Sequence, residues 1–171
     1  VDAGADGWVS KLNASYQVTS DVMFYAVAAK GFRPGGANNV PGLASALLGY
    51  APDSLWNYEG GVKSQWFDRR LTLNAAAYQI DWSNMQISAT SANGAFSYLT
   101  NAGKAKIQGF EIEAVARPIQ GLTISGTAAI VDAKLTEDHA NSTILITGST
   151  GLRGDEFPNV AKYSGSAAVE Y

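Results

Sequence analysis

Apolar and polar residues alternate with period two along most of the chain. In the first segment Trp8, Ser10, Leu12, Ala14, Tyr16 and Val18 fall on one side, and Val9, Lys11, Asn13, Ser15, Gln17 and Thr19 on the other. That is the signature of a two-faced strand. After Ser20-Asp21 the pattern resumes, with Met23, Tyr25, Val27 and Ala29 opposite Phe24, Ala26, Ala28 and Lys30. We read the first of these sets as the apolar face, which assigns Lys30 to the polar one. A third segment sets Trp56, Tyr58, Gly60, Val62, Ser64 and Trp66 against Asn57, Glu59, Gly61, Lys63 and Gln65. In the fourth, Leu71, Leu73, Ala75 and Ala77 are in phase, whereas Tyr78, Ile80 and Trp82 are out of phase. Either a bulge near Tyr78 shifts the register, or the strand has left an apolar zone by then. Two further segments alternate across 106–117 and 122–130, and a last one begins at Val160. The pattern predicts strands near 7–19, 22–32, 55–67, 70–88, 98–117, 121–134 and 158–171, with at most a helical turn around Leu43 to Leu48.

Strand length and connection length narrow the fold class. Strands of ten or more residues exceed the globular mean of about five or six, and a tilted strand needs about 9–11 residues to cross a bilayer. Tight turns follow strands one, three and five, while long polar connections (about 33–53, 88–97 and 134–158) follow strands two, four and six. Short turns at one end and long loops at the other are the layout of an all-β, antiparallel up-and-down outer-membrane barrel; a β-sandwich mixes loop lengths at both ends. No run reaches the ~18 apolar residues of a membrane helix, but membrane strands escape hydropathy windows because their signal is only dyadic.

Composition removes several chemistries. Of 171 residues 46% are apolar and 16% charged, with 12 basic and 15 acidic side chains and a net charge of -3; that balance offers no basic footprint for a phosphate backbone, so no nucleic-acid partner is expected. Without cysteine the chain has no thiolate cluster, and His139 as the one histidine leaves little room for a histidine-rich metal centre or a Ser-His-Asp triad. Neither catalysis nor a cofactor is expected.

Particular strings then carry a resemblance. YAVAAKGFRPGG from Tyr25, SLWNYEGGVK from Ser54, LNAAAYQIDWSNMQI from Leu73, NAGKAKIQGFEIE from Asn101 and PNVAKYS from Pro158 resemble, in order and spacing, the C-terminal half of the barrel of TonB-dependent outer-membrane receptors. The resemblance covers roughly residues 16–171; Ala161 departs from it, where such proteins often carry proline. It implies a barrel of about 22 strands filled by an N-terminal plug and importing scarce nutrients such as ferric siderophores. By that comparison residues 1–171 are a fragment, about seven strands of the wall, with the plug, the TonB-contacting segment and the closing strands outside them. The implied partners are outer-membrane lipid, TonB through the N-terminal region, and a small ligand such as an iron chelate.

Candidate residues follow. Lys30, Glu59, Lys63, Glu111, Glu113 and Arg117 are placed on the lumen side, where they would guide substrate or meet the plug; a water-filled wall is also polar without any such role. Tyr16, Tyr25, Trp56, Tyr58 and Trp66 are assigned to interfacial girdles. Leu12, Ala14, Tyr16, Val27, Val62, Phe110, Ile112, Leu122, Ile124 and Ala128 are expected to face lipid. In the loops Arg33, Asn38, Asn39, Tyr50, His139 and Arg153 are ligand-contact candidates. Asp138 and His139, with Glu137 and Asp155-Glu156, could be read as a metal contact, but a lone histidine among carboxylates in a polar loop ordinarily remains solvated surface. The glycine-rich run Gly148 to Gly154 lacks the Lys-Ser/Thr ending of a phosphate loop, and the Asn13 and Asn141 glycosylation sequences are accidental matches.

Overall fold

The computed structural model describes residues 8–91, 94–138, 151–157 and 159–171. Its strands are β1 (Ser10–Thr19), β2 (Val22–Arg33), β3 (Gly36–Ala37), β4 (Gly49–Tyr50), β5 (Asp53–Trp66), β6 (Leu71–Thr90), β7 (Ser97–Ala116), β8 (Thr123–Leu135) and β9 (Tyr163–Glu170), with a short 3-10 turn at Ser45–Leu47. Seven of them form one sheet in the order β1-β2-β5-β6-β7-β8-β9. All six neighbouring pairs are antiparallel. The small β3–β4 hairpin sits inside the connection between β2 and β5, too short to leave a period-two signal.

Cross-strand register turns these strands into a two-faced wall. Tyr16, Phe24, Val62, Ala75, Ile112, Ala128 and Gly165 stand opposite one another in a single row across all seven strands. One residue along, on the opposite face, the row reads Gln17, Met23, Lys63, Asn74, Glu113, Thr127 and Ser166. The first row is apolar and lies on the outer face; the second is largely polar and lies on the inner face. Leu12, Tyr16, Phe24, Phe110, Ile112, Ile124 and Ile130 are exposed outward, and among the described residues no second layer covers them. The turn Phe67–Arg70 takes three successive residues, Phe67, Asp68 and Arg69, through positive φ, the mirror-image twist that tight hairpins favour.

Register corrects the reading of β2. Tyr25 pairs with Gly61 and Val27 with Glu59, so both point inward, whereas Lys30 pairs with Trp56 and points outward. Both faces of β2 are apolar over most of its length, so period two alone does not say which one meets lipid; the neighbouring strands decide it. Lys30 is therefore not a lumen residue, and Tyr25 is not part of a girdle. Tyr16, Trp56, Tyr58 and Trp66 do face outward, Trp56 and Tyr58 stacked at 5.8 Å. Leu122 lies in the turn before β8 rather than in a strand.

The out-of-phase segment of β6 has a simple cause. Pairing between β6 and β7 runs without a shift from Leu71↔Ala116 to Ser83↔Lys104, so no bulge lies at Tyr78; the outer face itself becomes polar there. Gln108 donates to Gln79 at 3.0 Å, Lys106 lies 3.9 Å from Asp81, and Lys134 bonds Asp132 at 2.9 Å. The strands run slightly into the polar stretch expected at 88–97, because Thr90 still pairs with Ser97 and the connection shrinks to residues 91–96. Twenty residues at ~3.3 Å each and a tilt of ~40° climb ~50 Å, about twice the ~25 Å apolar band. The β6–β7 hairpin thus protrudes well beyond the membrane.

Three tyrosines cover three directly opposed glycines. Tyr25 pairs with Gly61, Tyr78 with Gly109 and Tyr50 with Gly36. A Cβ built on Gly109 would lie 2.3 Å from the Tyr78 ring, on Gly61 2.6 Å from the Tyr25 ring, and on Gly36 2.4 Å from the Tyr50 hydroxyl. The ring supplies the packing that glycine lacks, which accounts for Gly36 in Arg-Pro-Gly-Gly, Gly61 in Tyr-Glu-Gly-Gly and Gly109 in Gln-Gly-Phe.

In the full-length protein, Ile112→Arg places charge in hydrocarbon and costs ~2–4 kcal/mol near the midplane, and Glu113→Arg well under that; denaturant unfolding in lipid vesicles measures both, and equal costs would refute the assignment of faces. Gly109→Val displaces the Tyr78 ring at a cost of ~1–3 kcal/mol. Adding Tyr78→Ala recovers part of that loss, whereas strictly additive losses in the double variant would show that the two side chains do not compete for space.

Candidate lumen face and loop rim

On the inner face the sheet forms a groove of about 440 Å³ lined in part by Tyr25, Lys63, Asn74, Glu111, Glu113 and Thr127. Glu59 and Lys63 share a face four residues apart, and Tyr25 mediates between them. The Tyr25 hydroxyl donates to Glu59 Oε1 at 2.7 Å, and Lys63 Nζ stands 5.6 Å from the centre of the Tyr25 ring. Asn74 Nδ2 donates to Glu113 Oε2 at 3.0 Å. The register brings Glu59, Lys63, Glu111 and Glu113 to one face, as the sequence suggests, and Arg117 follows the last residue of β7, its N–H bonded to the Arg70 carbonyl at 2.7 Å. Chemically the patch offers three carboxylates and an ammonium to whatever occupies the lumen.

At the long-loop end the polar centre is Asp53, which sequence reasoning treats only as the end of a loop. It is 3% exposed. Arg33, the last residue of β2, engages it through Nε, at 3.1 Å from Oδ1 and 3.0 Å from Oδ2, and through Nη2. Trp82 Nε1–H and the Gln86 backbone N–H donate to Asp53 Oδ2 at 3.0 and 3.1 Å. The Arg33 guanidinium also lies 5.2 Å from the Trp82 ring centre and donates to the Gln86 carbonyl at 3.2 Å. Arg33 is twelve residues along β2 from the short-turn end, which puts the node ~30 Å above that turn and outside the apolar band. Burial alone would raise the Asp53 carboxyl; the Arg33 guanidinium, with the Gln86 and Trp82 donors, outweighs it and holds the group below the ordinary carboxylate range. Beside the node Met85, Ala102, Ala105 and Leu135 form a small buried cluster with Trp82, Ile87 and Phe157 against it.

Two of the other loop candidates, Asn38 and Tyr50, have structural occupations. Asn38 bonds backbone groups of Leu47 and Leu99, and Tyr50 covers Gly36. Asn39 is exposed. Asp138 accepts the Arg153 N–H at 2.7 Å, Glu137 pairs with Lys104 at 2.5 Å, and Asp155 Oδ2 accepts the Leu152 N–H at 3.2 Å. Glu156 forms an isolated bridge with Lys134. His139 and Asn141 lie outside the described residues, as do residues 148–150 of the glycine-rich run; among those described, no three metal-ligating side chains converge.

A single sheet with a bare apolar outer face, a polar inner face and short turns gathered at one end is the wall of a membrane-spanning β-barrel. The chain belongs to the TonB-dependent receptor-like β-barrel family, whose model matches residues 1–171. The metal-pseudopaline receptor CntO of Pseudomonas aeruginosa is 31% identical over 161 residues, covering 94% of this chain and 20% of that protein. The pesticin receptor of Yersinia enterocolitica is 28% identical over 164 residues, 96% of this chain and 22% of that protein. The crystal structure of the ferric yersiniabactin uptake receptor FyuA from Yersinia pestis superposes with a TM-score of 0.72 at 26% identity, covering 93% of this chain and 22% of that one. The chain thus spans about a fifth of the length of the curated relatives it matches. Membership places it in the outer membrane of a Gram-negative bacterium.

The Asp53 node has a pH signature. A carboxyl lowered on folding contributes stability that is fully present above its unfolded value near 4 and is lost as pH falls through the lower folded value. Asp53→Ala should cost ~1–3 kcal/mol at neutral pH, because it leaves the Trp82 and Gln86 donors without their acceptor, and should flatten the acid limb of a pH-dependent melt of the full-length protein. An unchanged acid limb would remove Asp53 from that role.

Proposed function

We propose that residues 1–171 form part of the wall of an active importer in the outer membrane that carries a metal–chelate complex, a ferric siderophore or similar iron complex. Uptake is driven by TonB acting through other parts of the protein. The observation that carries this reading is the register itself: apolar rows outward, and Glu59, Lys63, Glu111 and Glu113 together on the inward face. The names of the relatives, a metal-pseudopaline receptor and a ferric yersiniabactin uptake receptor, support a chelated metal as cargo. β1 and β9 are open sheet edges, and an unpaired backbone group in lipid costs several kcal/mol; further strands therefore continue the wall toward a barrel of about 22. In this reading the lumen carboxylates meet either the plug or the passing complex, and the loop rim captures it.

The test is uptake of radiolabelled iron by cells producing the full-length receptor, supplied with a panel of ferric siderophores under iron limitation. Accumulation of at least one complex should require both the receptor and TonB. The combined change Glu59→Gln, Glu111→Gln and Glu113→Gln should leave the barrel assembled and lower uptake by about tenfold, equivalent to ~1.4 kcal/mol. Uptake that persists without TonB would replace this reading with a passive pore, and absence of uptake for every chelate would overturn the cargo class.

A further inference from the structure

We propose that the connection between β2 and β5 (residues 34–52) is no lid, but is locked to the protruding β6–β7 hairpin by two reciprocal carboxamide clamps, Asn38 and Asn101, so that the two move as one block at the rim. Each clamp imitates a strand pairing. Asn38, in the connection, accepts the Leu99 N–H on Oδ1 at 2.8 Å and donates Nδ2 to the Leu99 carbonyl at 2.7 Å. Its remaining hydrogen goes to the Leu47 carbonyl at 2.8 Å. Asn101, on β7, does the converse: Oδ1 accepts the Ala51 N–H at 2.6 Å, and Nδ2 donates to the Ala51 and Asn84 carbonyls, each at 2.9 Å. A carboxamide has one acceptor oxygen and two donor hydrogens, and both side chains use all of them.

The sheet explains why the hairpin needs a clamp. Among the described residues β8 pairs with β7 from Ala105 downward, with one further bond from the Thr136 N–H to the Lys104 carbonyl at 2.8 Å, so no described strand flanks Leu99 on that side, and an unpaired edge is a liability. Asn38 takes up the Leu99 N–H and carbonyl that a further strand would have taken. Two more amides cross the same seam. Gln86 Nε2 donates to the Pro34 and Ala51 carbonyls at 2.8 and 3.1 Å, and Asn84 Nδ2 to the Pro52 carbonyl at 2.7 Å. Below them the Arg33–Asp53 pair joins the root of the connection to Trp82 and Gln86. The bonds hold both limbs of the connection, at Pro34 and Asn38 on one side and at Ala51, Pro52 and Asp53 on the other, and Asn38 ties the limbs to each other through the Leu47 and Leu48 carbonyls, so neither limb can swing alone.

Hydrogen exchange read by mass spectrometry on the full-length receptor in detergent tests this. The amides of Asn38, Leu48, Ala51 and Leu99 should exchange at least about tenfold slower than unstructured peptide. Asn101→Ala should speed exchange in 34–52 and in 97–101 together, and Asn38→Ala likewise, while 22–30 and 58–66 are unchanged. Asn39→Ala, at the exposed neighbour, should alter neither segment. Should an alanine variant fail to assemble, Asn101→Asp retains the acceptor for Ala51 and loses both donors, and must still loosen both segments. Exchange of 34–52 at the peptide rate in the wild type, or loosening of one segment without the other, would overturn the block.

Discussion

Everything in this chain depends on satisfying the backbone where no water is available to do it. In hydrocarbon each N–H and carbonyl must find a partner in the next strand, so the antiparallel ladder is obligatory, and once its register is set every side chain is committed to lipid or lumen. A slip of one residue would turn the row from Tyr16 to Gly165 inward and the row from Gln17 to Ser166 outward, carrying Lys63 and Glu113 into the bilayer. The two tyrosine-over-glycine pairs in this sheet, Tyr25 over Gly61 and Tyr78 over Gly109, act against such a slip, because each ring has room only where the opposed residue has no Cβ.

The same ladder continues past the membrane with a different purpose. Above Gln79 and Gln108 the outer face is polar and the strands no longer need to exclude water, yet β6 and β7 remain paired to Thr90 and Ser97. There the strands serve as a scaffold. The buried Asp53 draws Arg33, Trp82 and Gln86 together, and the asparagines bind the neighbouring connection to the hairpin, so that a long loop is held by specific hydrogen bonds rather than by an apolar core. One continuous sheet thus faces lipid and lumen in its lower part and carries the polar hairpin above, with Trp56 and Tyr58 marking the change of solvent toward the loop end and Trp66 at the short-turn end.

How much of this is legible in the sequence differs from strand to strand. In β7, Phe110 and Ile112 alternate with Glu111 and Glu113, so the alternation alone suffices to assign the lumen carboxylates. In β2 both faces are apolar, and the assignment of Tyr25, Val27 and Lys30 inverts, because nothing local distinguishes lumen from lipid when alanine and valine occupy both sides. The loop candidates fare differently again. Arg33, Asn38 and Tyr50 stand out as residues of a binding surface, but each is held by a partner far along the chain: Asp53, Leu99 and, across a two-residue strand pair, Gly36.

Period-two patterning and turn chemistry within single segments were thus enough to give the class of fold, the number and approximate limits of the long strands, the end at which the short turns gather and the inward face of β5 and β7. The facing of β2 and the occupation of Asp53, Asn38 and Asn101 came from the tertiary structure alone. Those outcomes rest on pairings between residues tens of positions apart, where a neighbour's register or a single side-chain amide outweighs the local pattern.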